Sequence, residues 1–141
     1  MTKLSRHEIR IKAMQVLFMQ DFDEGLSKEQ AISDVFDLDE NLVSENSLTP
    51  AYLDQLVSGV VAHQAEIEAE IGKHLKSGWT VGRLSKVDRI VLSLAIFEIK
   101  YINEIPAKVA VNEAIELAKD FGEEQSSNFI NGVLKQVINE Y

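Results

Sequence analysis

The 141-residue sequence has no cysteine, only two prolines and a single tryptophan. Without cysteine, neither a disulfide framework nor a cysteine-based zinc site can form. Long hydrophobic runs are also missing. "IVLSLAIF", residues 90–97, is the longest uncharged apolar-rich stretch. It falls far short of the roughly 20 residues that a membrane-spanning helix needs. The opening is charged and has no continuous apolar region, so no signal peptide is expected and the default reading is a soluble cytoplasmic protein. Basic residues are scarce as well: 14 against 23 acidic, a formal net charge of −9. That balance argues at first against an anionic partner.

The distribution of charge reverses the argument. Residues 21–46 hold nine acids and one lysine, a local sum of −8 that nearly accounts for the whole surplus. Residues 1–12 carry Lys3, Arg6, Arg10 and Lys12 against Glu8, a sum of +3. Residues 73–89 carry Lys73, Lys76, Arg83, Lys86 and Arg89 against Asp88, a sum of +4. Two basic patches on an acidic chain can still steer an anion.

No stretch alternates apolar and polar residues as a half-buried strand does, and helical spacing dominates. The expected fold is all-α, with six to seven helices in two packed bundles, about 1–76 and 77–141, of a single domain. Ser5 and Glu8 fit a capping box at the start of the first helix, which places Ile9, Ala13, Val16 and Leu17 on one stripe. A shorter helix covers Lys28 to Leu38, with Ile32, Val35 and Phe36 inward. Residues 39–49 read as a polar loop, and Thr49 before Pro50 as a helix start. One long helix follows, with Leu53, Leu56, Val57, Val60, Val61, Ile67 and Ile71 at helical spacing. After a break at Gly78 and Gly82, Ser85 caps a helix over about 86–102 that is apolar nearly all round, the pattern of a buried central helix. Residues 103–106 end it at proline. A helix over about 108–121 turns Val111, Ala114, Ile115, Ala118 and Phe121 inward and stops at Gly122. The last helix, about 125–139, buries Phe129, Val133, Val137 and Leu134.

Signals for catalysis are thin. There is no phosphate-cradling glycine loop and no dinucleotide fingerprint. His7, His63 and His74 lie far apart without metal-ligand spacing and read as solvated or boundary residues. "DFG" at 120–122 lacks every other kinase motif. No catalytic residue, metal site or cofactor is expected. The basic opening is more informative. Lys3, Arg6 and Arg10 can share a helix face, where a bound phosphate would offset their mutual repulsion. The plain alternative is a solvated helix start, although cations near a helix N-terminus are poorly placed. Gln125, Ser126, Ser127, Asn128 and Asn131 crowd the first turns of the last helix. They either cap it or form a polar face that reads single-stranded bases, with Phe129 either in the core or stacked on a base.

"RHEIRIKAMQVLFMQDF" at 6–22, "VDRIVLSLAIFEIKYINEIPAKVAVNEAIELAKDFG" at 87–122 and "SNFINGVL" at 127–134 together resemble the NusB family of bacterial transcription antitermination factors. The resemblance implies an all-helical, non-catalytic protein with two packed, roughly three-helix subdomains. Its expected ligand is boxA in nascent RNA, bound together with the ribosomal protein NusE. The complex joins other Nus factors and RNA polymerase and supports processive transcription of ribosomal RNA operons. By position, Arg6 and Arg10 match the RNA-facing opening helix. His7 and Lys12 fall at nearby positions that vary among relatives. Phe129 and Asn131 match the motif near RNA at the start of the last helix. Phe18 and Asp88 match positions on the NusE-facing side, and Gln125 stands where some relatives carry an acidic residue linked to NusE binding. Homodimerisation occurs in some relatives. The rival readings are a helical protein–protein adaptor that binds no RNA and an accessory domain of a ribosomal RNA methyltransferase.

Overall fold

The first helix begins as the capping box predicts. The Ser5 hydroxyl accepts from the Glu8 N–H at 3.1 Å, and the Glu8 carboxylate accepts from the Ser5 N–H at 3.0 Å. Two of the helix's orphan donors are thereby satisfied reciprocally. The computed structural model describes residues 5–37 and 51–140. These residues form seven α-helices and one 3-10 turn, with no strand among them. In chain order the helices are α1 (Arg6–Phe22), α2 (Lys28–Asp37), α3 (Ala51–Ala62), α4 (Gln64–Lys73), α5 (Lys86–Tyr101), α6 (Ala107–Phe121) and α7 (Ser126–Glu140), with the 3-10 turn at Val81–Arg83 before α5. The expected end of the second helix at Leu38, the loop at 39–49, the Thr49–Pro50 helix start and Lys3 lie outside the described residues, as does the side chain of Phe36. No described helix is long and apolar enough to cross a membrane.

The chain divides into two compact units, Met1–Ser58 and Gly59–Tyr141. The division falls inside α3, earlier than the expected position near residue 76, because α4 packs against α5 and so joins the C-terminal helices. In the first unit α1 packs on α2. The predicted stripe of Ile9, Ala13, Val16 and Leu17 is buried, as are Ala31, Ile32 and Val35 of α2. Lys28 ties α2 to α3: its ammonium lies 2.5 Å from Asp54 Oδ1 and donates to Ser58 Oγ at 2.9 Å.

In the second unit α5 is the central element. Every residue from Ile90 to Glu98 is buried, which bears out the all-round apolar pattern. Helices α6 and α7 pack on each other and on α5. Core positions on α6 and α7 include Ala114, Leu117, Ala118, Ile130, Leu134 and Val137. Val61 and Phe121, expected inward, are exposed. The single long helix expected after Pro50 is two. His63 interrupts it with φ −110° and ψ 20°. Its ring stacks on Tyr101 of α5, centroids 4.2 Å apart, and the Tyr101 hydroxyl donates to Glu66 of α4. Those cross-helix contacts account for the break, and spacing along one helix cannot reveal them.

Candidate nucleic-acid interface

Helix α1 carries five of the nine residues expected to contact RNA or a partner: Arg6, His7, Arg10, Lys12 and Phe18. They do not share one exposed face. Arg6 is exposed, and its guanidinium lies 4.7 Å above the centre of the Tyr52 ring. A cation held over an aromatic ring is pre-oriented while its donors stay available to a phosphate. His7 is half-buried. Arg10 is only 3 % exposed and Lys12 is also buried, among the residues that α1 turns inward. The expectation that Arg6 and Arg10 present one open basic face therefore does not hold. Arginine and lysine can lay long apolar stems against a core, and helical spacing does not reveal which cations do so. Phe18 is exposed.

In the second unit, residues 74–88 and 123–136 wall a groove of about 870 Å³. Asp88, Gln125 and Phe129, expected from three separate stretches of sequence, all line it. Asp88 sits in the first turn of α5, where its N–H donates to the Ser85 hydroxyl at 3.1 Å, the predicted cap. Its carboxylate Oδ1 is buried and accepts no hydrogen bond among the described residues. An unsatisfied buried acceptor costs free energy unless a donor reaches it, so this oxygen is a receptive point in the groove. Phe129 is half-buried, which leaves part of its ring facing the groove. Asn131 is half-buried outside the groove lining. Ser126 is buried and its hydroxyl accepts from the Glu123 N–H at 3.0 Å, so it serves as a structural brace and not as part of an open polar face.

Among the groove residues that the sequence reading missed are His74, Trp79 and Arg83. Trp79 is 52 % exposed, with the Arg83 guanidinium 5.2 Å from the ring centre. Arg83 also donates to the Gly78 carbonyl at 2.9 Å, across a turn that needs glycine because Gly78 has φ +90°. A lone tryptophan four residues before an arginine, in the second basic patch, was the available signal.

A family model described as the NusB family matches residues 7–139. The chain belongs to the NusB family. The transcription antitermination protein NusB of Enterococcus faecalis is 46% identical, covering 99% of this chain and 92% of the relative. That of Ligilactobacillus salivarius is 44% identical over 96% of this chain and 98% of its own. Among solved structures, T. maritima NusB superposes with a TM-score of 0.84 at 31% identity, over 99% of this chain and 94% of that one. A chain from a structure of the antitermination factors NusB and NusE in complex with dsRNA gives a TM-score of 0.80 at 26% identity, covering 96% of this chain and 97% of that one. The NusB-family match, residues 7–139, spans both units, from Phe18 in the opening helix to the groove with Asp88, Gln125 and Phe129.

Proposed function

We propose that this NusB-family chain is a non-catalytic transcription antitermination factor of the cytoplasm. It binds boxA in nascent RNA together with the ribosomal protein NusE and joins the other Nus factors on RNA polymerase during ribosomal RNA transcription. The observation that carries this reading is the likeness, over nearly the whole chain, to a chain from the complex of NusB, NusE and dsRNA. Arg6 supplies a phosphate contact, because its guanidinium is exposed and oriented on Tyr52. Phe129 offers a ring for base stacking. Asp88 offers an acceptor to a partner's N–H, with Gln125 on the same groove and Phe18 as an aromatic anchor for NusE.

With Arg10 and Lys12 buried, few cations on α1 face phosphate. Binding of RNA by the isolated chain is therefore weak and its salt slope small, at about −0.7 per phosphate neutralised on a single strand. NusE supplies the remaining interface. The same burial favours one alternative, an adaptor that engages protein alone.

Fluorescence anisotropy separates the two. A short boxA-like RNA and a scrambled control are titrated with the protein, with and without equimolar folded NusE, at two salt concentrations. Preference for boxA that tightens with NusE is expected. Equal affinity for both RNAs in every condition overturns the RNA reading and leaves the adaptor.

A further inference from the structure

Glu70, His74 and Glu140 come together at the ends of α4 and α7, and none of the three is assigned above to RNA or NusE. Glu70 and His74 are four residues apart and so share a helix face. His74 Nε2 lies 3.0 Å from Glu70 Oε2 and 3.4 Å from Glu140 Oε1. Zn²⁺ bound by nitrogen and carboxylate oxygen at about 2.0–2.1 Å in a tetrahedron holds neighbouring ligand atoms about 3.3 Å apart. Both separations match that edge, and the three ligand atoms all lie within 4.8 Å of one another.

The imidazole is also oriented as a ligand. Its Nδ1 lies 3.0 Å from Gln136 Oε1. That contact holds the ring with Nε2 towards the carboxylates, the orientation that outer partners give metal-bound histidines. The Glu70 side chain is 4 % exposed and that of His74 is 8 % exposed, so both are largely withdrawn from water. A cation beside a buried carboxylate offsets the cost of withdrawing it from water. Lys73 now supplies it, with Nζ 3.3 Å from Glu70 Oε2 and 3.2 Å from Glu140 Oε2. Lys100 stands farther off, 4.0 Å from Glu70 Oε1. Lys73 is 56 % exposed on a flexible stem and can withdraw.

We propose that Glu70, His74 and Glu140 bind a divalent transition-metal ion of the zinc type, which takes the place of the Lys73 ammonium between the two carboxylates. One nitrogen and two oxygens leave a fourth position for water. The imidazole selects zinc over magnesium, which prefers oxygen ligands and octahedral geometry. His74 also lines the groove, so the ion would fix the C-terminal ends of α4 and α7 along one of its walls.

Isothermal titration of the untagged full chain with ZnCl₂, and separately with MgCl₂, tests the site. One saturable zinc site per chain and no saturable magnesium binding are expected. His74→Ala and Glu140→Gln should each weaken zinc binding at least about tenfold, and Gln136→Leu by about 10–100-fold, the usual cost of losing an outer partner. Lys73→Ala should tighten it by removing the competing charge, whereas a cluster that is only a salt-bridge network predicts no zinc binding in either protein. Glu140 lies at the last position of α7, so its substitution keeps the test sound if His74→Ala fails to fold. Absence of saturable zinc binding in both the wild type and Lys73→Ala overturns the proposal, as does unchanged affinity in Glu140→Gln.

Discussion

Gly122 and Ser126 approach so closely that no side chain fits between them. A Cβ on Gly122 would lie 2.8 Å from the Ser126 Cβ, from its Oγ and from the Ala118 carbonyl oxygen. The helix-ending role read from the sequence holds, but its cause differs. Gly122 has φ −95°, which any residue adopts, so it is space and not backbone freedom that requires glycine here. The displaced atoms would be a backbone carbonyl and a buried brace, neither free to yield. Gly122→Ala is expected to cost about 1–3 kcal/mol, in the range of overpacking. Urea unfolding monitored by circular dichroism measures it, and an unchanged midpoint would refute the steric account.

Arg6 and Arg10 should respond differently to truncation despite their equivalent spacing. Arg6→Ala leaves stability nearly unchanged, lowers RNA affinity in the presence of NusE and reduces the salt slope by about 0.7. Arg10→Ala removes a buried side chain and costs about 1–3 kcal/mol of stability. Parallel anisotropy and urea unfolding on both variants check this, and a reversed pattern would contradict the placement of the two guanidinium groups.

Asp88 tests the groove. Asp88→Ala retains the Ser85 cap, which uses only the backbone N–H of residue 88. It removes the buried acceptor. A hydrogen bond to a charged group contributes about 1.5–3 kcal/mol, so NusE affinity should fall about tenfold or more while the thermal midpoint holds or rises. Unaltered NusE binding in a calorimetric titration would remove Asp88 from the partner surface.

The Tyr101 hydroxyl holds the Glu66 carboxyl below its ordinary value, with His63 and Lys100 adding to the effect. A carboxyl with a lowered folded-state pKa contributes stability above the unfolded value, near 4.5. That contribution is lost as pH falls from there through the folded-state value. Tyr101→Phe should raise the Glu66 pKa towards the ordinary value and flatten the acid limb of the stability curve. Carboxyl chemical shifts followed by NMR against pH read the change directly. An unmoved Glu66 titration would dismiss the hydrogen bond as its cause.

Local features were legible in the sequence. The Ser5–Glu8 box, the Ser85 cap and the all-round burial of α5 each depend on residues within a few positions of one another, where helical geometry alone decides the outcome. What escaped depends on distant partners. The break at His63 needs Tyr101, the burial of Arg10 needs whatever packs over α1, and the outward turn of Val61 and Phe121 needs the direction of neighbouring helices. The groove joins residues about 40 positions apart. Family resemblance supplied Asp88, Gln125 and Phe129 from that set. It did not supply Trp79, Arg83 or His74, which only the folded chain places beside them.

Because α5 is buried along Ile90–Glu98, its amides reach solvent only when the C-terminal helices come apart. Hydrogen exchange at these residues would therefore act as an internal clock for opening of the whole second unit. The capped first turn around Asp88, which lines the groove, would report local events there. A ligand that slows exchange at both places stabilises the unit as a whole, and one that slows only the first turn merely covers it.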